Sequence, residues 1–157
     1  MSNTEALKNL NAAFVEDHRK LIRGYRDAKL AIEANDREAA QVIAGRLDRE
    51  AGPHIEFEER FLYPIVAAAR GEDYAARLYQ EHTATLQTLI ELQTAASMDE
   101  AARQRWLAGL QEGLEHAATC GTLLSHLETL PAEQQEELLE TLTSLRRKNS
   151  RWSELSE

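Results

Sequence analysis

Four histidines of this chain recur at intervals that suit the inward faces of four successive helices. They are His18, His54, His82 and His116, and the second of them begins the pattern His54-x-x-x-Glu58. Neutral imidazole binds divalent iron, zinc, copper or nickel, and a carboxylate adds negative charge and can bridge two ions. One such ligand from each helix, all facing one core, is how a helical bundle builds a buried metal site. The sequence therefore predicts a metal site assembled from four helices.

The residues around these histidines have the pattern of amphipathic helices, in which apolar residues recur every three or four positions. In the first helix this pattern has one gap, between Phe14 and Leu21, and His18 fills it. In the second helix His54 and Glu58 both lie on the apolar face, since residues four apart share a face. We therefore expect these ligand-type residues to point into the core.

Breaks in the apolar pattern separate the helices and set the level of each histidine. Asn35-Asp36 ends the first helix, Gly71 ends the second, and residues 97–100 end the third. Counted from these breaks at about 1.5 Å per residue, the five ligand-type residues fall in one slab near the middle of the bundle. The fourth helix extends to Leu127 in this pattern. His126 lies roughly 15 Å along it from the slab, so we expect it to stay outside the site.

The fold class follows from this helical pattern. We predict an all-α fold, an up-and-down four-helix bundle with a short fifth C-terminal helix. Pro53 and Pro64 each remove a backbone donor, so we expect the second helix to be long and kinked. The fifth helix begins at Pro131, a residue that suits the first turn. We expect the bundle to span residues 1–148 and a flexible tail to follow over residues 149–157.

The composition excludes several kinds of partner. The chain has 157 residues, enough for one domain, and its net charge of −9 repels a polyanion such as DNA. No apolar run approaches the length of a membrane span, and the N-terminus lacks a charged-then-apolar leader. The single cysteine, Cys120, rules out an internal disulfide. We therefore expect a cytoplasmic protein with no nucleic-acid or membrane partner.

Two features leave alternatives open. Glu50 and Glu112 each lie four residues before a histidine of the set, where they either orient those rings or are ordinary surface charges. The second interpretation is the more common one for such positions. Cys120 lies one turn after His116 on the same helix face, so its sulfur either coordinates a metal or packs as a small core residue.

The motifs around the histidines resemble those of the hemerythrin-like (HHE cation-binding) family. The strongest match runs from His54 to Pro64 and resembles the family pattern of His, three residues, Glu-Glu and an apolar-aromatic-Pro ending. Residues 16–21 resemble the first-helix histidine motif, and residues 80–82 resemble the third-helix motif. The resemblance covers about residues 10 to 130.

The resemblance implies a non-haem di-iron centre in an up-and-down four-helix bundle. Members of the family bind dioxygen reversibly, or sense oxygen, iron or nitric oxide. The implied cofactor is therefore iron, and the implied partner is dioxygen or another small diatomic molecule. The resemblance also implies that Glu58 bridges the irons and that the other ligands are His18, His54, His82 and His116.

Two positions depart from the family pattern. Leu78 and Leu86 stand where the third helix often carries a second histidine four residues from His82. On the fourth helix, Cys120 and Gly121 stand where a second bridging carboxylate is expected. We therefore expect either a di-iron site with altered ligation, with Cys120 as a thiolate ligand, or a site for a single metal ion.

Taken together, these patterns predict a hemerythrin-like metal-binding protein that senses or binds oxygen, nitric oxide or a redox signal, rather than an enzyme. Di-iron oxidase bundles use Glu-x-x-His pairs, and the sequence contains none. Two alternatives remain, a single zinc or iron ion held with Cys120 and a metal-free bundle that acts through protein contacts. The oligomeric state is left open. The predicted metal ligands are His18, His54, Glu58, His82, His116 and Cys120.

Overall fold

Helices make up most of residues 4–155, the range that the structure, a computed structural model, describes. The expected all-α fold is confirmed within that range. No helix in it combines the length and the apolar character that crossing a membrane requires. The α-helices are α1 (Glu5–Glu33), α2 (Arg37–Phe57), α3 (Tyr63–Arg70), α4 (Glu72–Thr94), α5 (Glu100–Cys120) and α6 (Ala132–Lys148).

The longest helices enclose a shared interior. Helix α1 packs against α2 and α5, and α4 packs against the same two helices. Helix α6 lies against α1 and α2. The buried apolar side chains form two clusters, and on α1, α4 and α5 the two clusters lie on opposite sides of His18, His82 and His116 along the helix. On α1, for example, Phe14 belongs to one cluster, Leu21 belongs to the other, and the buried His18 lies between the two.

The helix starts at Asp36 and Asp99 and the break at Gly71 lie where the sequence predicts them. The side chain of Asp36 caps α2 by accepting a hydrogen bond of 3.1 Å from the Ala39 amide. Asp99 caps α5 in the same way, at 2.8 Å from the Ala102 amide. Each satisfies an amide that a helix start leaves free. Gly71 separates α3 from α4 at a φ of 101°, a conformation that favours glycine.

A π-helical turn, Glu58–Leu62, joins α2 to α3 without a break in the helical path. The Tyr63 amide donates to the carbonyl of Glu58, five residues earlier. In an α-helix the acceptor is the carbonyl four residues earlier. Pro64 follows directly, and a proline ring clashes with the carbonyl one turn before it. The wider turn accommodates that clash. Pro64 predicts a kink here, but the residue pattern does not indicate the π turn.

The fourth predicted helix is shorter than expected. Helix α5 ends at Cys120, and Leu123–Leu127 forms a 3-10 turn. The extension to Leu127 was therefore wrong, because Gly121 weakens the helix and the tighter turn still buries the leucines. His126 is half-buried in this turn and does not belong to the cluster of predicted ligands.

Residues 150–155 are packed against α2, so a flexible tail does not describe them. Trp152 is buried, with 3 % of its surface exposed. The amide and hydroxyl of Ser153 donate to the buried Asp48 at 2.8 and 2.7 Å. A Cβ atom at Gly52 would lie 1.7 Å from the Ser150 carbonyl oxygen, so only glycine allows this approach. The apolar pattern does not indicate these contacts, because they join segments far apart in the chain. Residues 156–157 lie outside the described range.

Trp152→Ala is expected to destabilise the protein by about 3–5 kcal/mol, because it removes a large buried side chain from the core. For a chain of this length the melting temperature should fall by roughly 10 °C. Thermal unfolding followed by circular dichroism checks this. Glu154→Ala is the matched control, since Glu154 is exposed in the same segment. Equal melting temperatures for the two variants would show that the segment adds nothing to stability.

Candidate metal centre

The predicted histidines and Glu58 meet inside the bundle. His18 lies on α1, His54 on α2, His82 on α4 and His116 on α5, and Glu58 is the first residue of the π turn. All five side chains are buried. The ring centres of His18 and His54 are 4.6 Å apart, and those of His82 and His116 are 4.4 Å apart. The structure therefore brings these five side chains together, and their role as metal ligands stays a prediction.

Glu58 belongs to two groups of potential ligand atoms. Within each group, one such atom from every residue lies within 4.8 Å of the others. Glu58 Oε1 lies 3.5 Å from His54 Nε2 and 3.3 Å from His82 Nε2. Its carboxylate is therefore placed between the groups, as a bridging ligand would be. The three-residue group is His18, His54 and Glu58, and the four-residue group is Glu58, His82, His116 and Cys120.

On the α1–α2 side, both imidazole rings are held through Nδ1. His18 Nδ1 donates to the Phe14 carbonyl oxygen at 2.8 Å. His54 Nδ1 donates to the Asp17 carboxylate at 3.1 Å. Because a carbonyl and a carboxylate accept hydrogen bonds, the ring proton resides on Nδ1. In its neutral form each ring then directs the Nε2 lone pair into the interior, where it can bind a cation.

The rings on α4 and α5 are oriented in the same way. His82 Nδ1 donates to Glu59 at 2.8 Å, and His116 Nδ1 donates to Glu81 at 2.5 Å. All four histidines therefore present Nε2, the atom that binds metal when Nδ1 is protonated. This shared orientation is the arrangement that metal-binding histidines show.

Two buried polar atoms have no hydrogen-bond partner among the described residues, His54 Nε2 and Glu58 Oε2. Leaving a buried polar atom unpaired costs about 1–3 kcal/mol, and more for a charged group. Both atoms belong to the three-residue group. A cation bound there would satisfy both at once, so these residues fit a metal ion.

The charges of the centre favour a negative carboxylate beside a protonated ring. Burial alone would raise the pKa of Glu58. His54 and His82 lower the pKa by more than burial raises it, so it lies well below its usual value. Burial lowers the pKa of His54, but the charge of Glu58 outweighs this and raises the pKa to about 9. Burial and a neighbouring histidine lower the pKa of His18 and of His116, so these rings are neutral and ready to bind metal.

The match to a known family agrees with this geometry. The sequence model of the hemerythrin HHE cation-binding domain matches residues 9–120. The chain belongs to this family. The matched range contains every predicted ligand, from His18 to Cys120. No curated protein and no solved structure matches the chain.

Three surface clefts reach the histidines of this hemerythrin-family centre. Clefts of about 550 and 450 Å³ lead to His54 and His116 and are lined largely by charged and polar side chains. The third, of about 480 Å³, leads to His18 between α1 and α5. Most of its lining is apolar, with Phe14 and Leu124 among the contributing residues. This cleft suits a small apolar molecule better than an ion.

Tyr63 also lies at the four-residue group and was not among the predicted site residues. Its hydroxyl lies 2.9 Å from His82 Nε2, 3.2 Å from His116 Nε2 and 3.2 Å from Cys120 Sγ. In a regular α-helix a residue five positions after Glu58 would face elsewhere. The π turn adds the residue that brings Tyr63 back to that face. The aromatic residue before proline in the family motif was the available signal.

The residues that orient the rings were also missed. They are Asp17, Glu59 and Glu81, and each stands next to a residue of the centre in the chain. Adjacent helix residues point about 100° apart, so each carboxylate reaches the ring of a neighbouring helix. The signal was an acidic residue directly beside a ligand. Glu50 and Glu112 are exposed, and neither hydrogen-bonds a histidine in the described range.

Glu81→Gln is expected to weaken metal binding by about 10–100-fold, because it removes the charged acceptor that holds the His116 ring. Competition with a coloured chelator measures the affinity. Glu115→Gln is the control, since Glu115 is exposed on α5 beside His116 and bonds Gln111 instead. Equal affinities for both variants would show that Glu81 does not orient a ligand.

Proposed function

We propose that this hemerythrin-family protein holds a non-haem di-iron centre and uses it to bind or sense a small diatomic molecule such as dioxygen or nitric oxide. Helix α1, the α2–α3 helical path, α4 and α5 form an up-and-down four-helix bundle around the centre in this proposal. The observation that carries it is the pair of ligand groups that share the carboxylate of Glu58.

Two ions are favoured because each group offers its own ligands. The three-residue group holds one ion through His18, His54 and Glu58, and the four-residue group holds another through Glu58, His82, His116 and Cys120. A carboxylate common to both groups offsets the charge of two neighbouring cations. Iron suits the mixture of imidazole and carboxylate and is the metal that the family resemblance implies.

The three-residue group is the favoured place for the diatomic ligand. It offers fewer protein ligands than the four-residue group, so an ion there keeps open positions. The apolar cleft also ends at His18, a member of this group. Bound ferrous iron would supply reversible binding of dioxygen or nitric oxide, while Phe14 and its apolar neighbours limit access by charged molecules.

The proposed role is sensing rather than catalysis, in a reducing cytoplasm where Cys120 stays reduced and does not form a disulfide. The four histidine rings are held by their hydrogen bonds, and Asp17 is itself bound by Arg146 of α6 at 2.8 Å. Through this chain of contacts, α6 is linked to the His54 ring. No nucleic acid or membrane is part of the proposal.

Metal analysis of the purified protein tests the proposed function. After anaerobic loading with ferrous iron and removal of excess metal, we expect about two irons per chain. Exposure to dioxygen or nitric oxide should then change the ultraviolet–visible spectrum. Protein that binds no metal under these conditions would support the metal-free interaction bundle instead.

A single zinc or iron ion is the second candidate, favoured by the four-residue group. Glu58, His82, His116 and Cys120 number four ligands, as a structural zinc site requires. In that case the loaded protein holds one ion per chain, and His18→Ala retains it. Two ions per chain, one of them lost in His18→Ala, would exclude this candidate.

A further inference from the structure

The phenol of Tyr63 lies closer to the four-residue group than a packing role requires. Tyr63 has no exposed surface, and its ring packs edge-on against Tyr79, at 5.1 Å between ring centres. Its hydroxyl oxygen lies within 3.2 Å of His82 Nε2, His116 Nε2 and Cys120 Sγ. All three are potential ligand atoms of one group.

These distances are those of neighbouring ligands around one ion. Metal–ligand bonds of about 2.0–2.3 Å, at the angles of tetrahedral or octahedral geometry, separate adjacent ligand atoms by roughly 2.9–3.7 Å. The distances from the Tyr63 oxygen to the other three atoms are 2.9, 3.2 and 3.2 Å. The distance from Cys120 Sγ to His116 Nε2 is 3.0 Å. The Tyr63 oxygen therefore occupies the position of a further ligand.

Hydrogen bonds alone do not account for the arrangement. When the His82 and His116 rings are neutral, with their protons on Nδ1, the Tyr63 hydroxyl and the Cys120 thiol are the two groups among these four side chains that carry a proton toward the interior. Four short contacts join these two groups to His82, His116 and each other. The two protons form hydrogen bonds in two of those contacts. In the other two contacts, lone pairs face each other without a proton between them. A cation at the centre satisfies all the lone pairs at once.

The backbone around Tyr63 points to the same role. The π turn that begins at Glu58 brings Tyr63 onto the face of the centre, and π turns inside α-helices are frequent at functional sites. On α4, Leu78 and Leu86 occupy the positions one turn before and after His82. That helix therefore offers one ligand to the group, and Tyr63 supplies a donor atom from α3.

We propose that Tyr63 is a metal ligand of the four-residue group, bound through its phenolate oxygen. The inference rests on the proposed metal centre and adds a residue to it. When the ion binds, the O–H bond of the phenol breaks, the proton passes to water, and the oxygen electron pair is donated to the ion. No oxidant or reductant is needed.

Spectroscopy of the iron-loaded protein tests the proposal. In the ferric protein, wild type is expected to show a phenolate-to-iron charge-transfer band and the phenolate ring vibrations in its resonance Raman spectrum. Tyr63→Phe keeps the ring and should lose both signals completely. Tyr79→Phe, whose hydroxyl donates to the Glu59 carbonyl instead, should retain them. Circular dichroism confirms that both variants are folded.

Cys120→Ala separates the phenolate signal from a thiolate signal. The phenolate vibrations should persist in this variant, while any sulfur-to-iron band disappears. Zinc titration gives a second readout, since wild type but not Tyr63→Phe should develop a tyrosinate ultraviolet difference spectrum.

The outcomes distinguish this proposal from the proposed function. Wild type that binds metal without a phenolate signal would overturn the role of Tyr63 and leave the metal centre standing. Wild type that binds no metal would overturn both. A band that survives in Tyr63→Phe but shifts in energy would identify Tyr63 as a hydrogen-bond donor to Cys120, which also contradicts the proposal.

Discussion

Glu58→Ala is expected to lose nearly all bound metal, whereas His18→Ala is expected to lose only the ion of the three-residue group. The difference follows from the position of the Glu58 carboxylate, which lies within 3.5 Å of His54 Nε2 and 3.3 Å of His82 Nε2. Removing it deprives both groups of their only carboxylate ligand. The two cations would then be held by uncharged imidazoles and would repel each other. Removing His18 leaves every member of the four-residue group in place.

Elemental analysis after iron loading measures both effects. His126→Ala is the control, since His126 lies in the 3-10 turn outside both groups and its removal should leave the metal content unchanged. Glu58→Gln tests the charge separately, because it keeps the shape of the side chain. If Glu58→Ala retained the same metal content as His126→Ala, the two groups would not share a carboxylate.

Metal affinity is expected to rise about 50-fold between pH 7 and pH 9, from the deprotonation of His54 alone. The neighbouring Glu58 raises the pKa of His54 to about 9, so over most of this range the ring carries a proton that metal must displace. The pKa of Glu58 is depressed, so its carboxylate remains ionised and does not contribute. Competition titrations at several pH values measure the slope.

The metal-free protein should show the opposite trend in stability. A group whose pKa is raised from 6.5 to about 9 stabilises the fold fully below pH 6.5, and that stabilisation is lost as the pH rises through 9. Metal-loaded protein holds His54 neutral and escapes this loss. The difference in melting temperature between loaded and metal-free protein should therefore widen as the pH rises from 6.5 to 9.

Asp17→Asn is the matched variant for both pH effects. Asp17 accepts the Nδ1 hydrogen bond of His54, so losing its charge lowers the pKa of that ring and moves the pH dependence to lower pH. Glu16→Gln removes one neighbouring charge from an exposed position on α1 and should leave the profile unchanged. An affinity that does not vary with pH in wild type would contradict the protonated state of His54.

Helix periodicity was enough to predict that the four histidines and Glu58 would cluster. Spacing placed four histidines and Glu58 on inward helix faces at one level, and the structure brings them together. This succeeded because the rise and twist of a helix are local properties. The helix starts at Asp36 and Asp99 were readable for the same reason, since a cap is formed within four residues.

The surroundings of those side chains depend on how the helices pack. The carboxylates of Asp17, Glu59 and Glu81 each hold a ring on another helix, and such pairings depend on which helices are neighbours. The π turn directs Tyr63 toward the centre, a direction that this position would not have in a regular α-helix. Trp152 docked on α2 because Gly52 leaves room for the Ser150 carbonyl. In each case the contact joins residues whose relative orientation exists only after the helices pack, which periodicity along one helix does not encode.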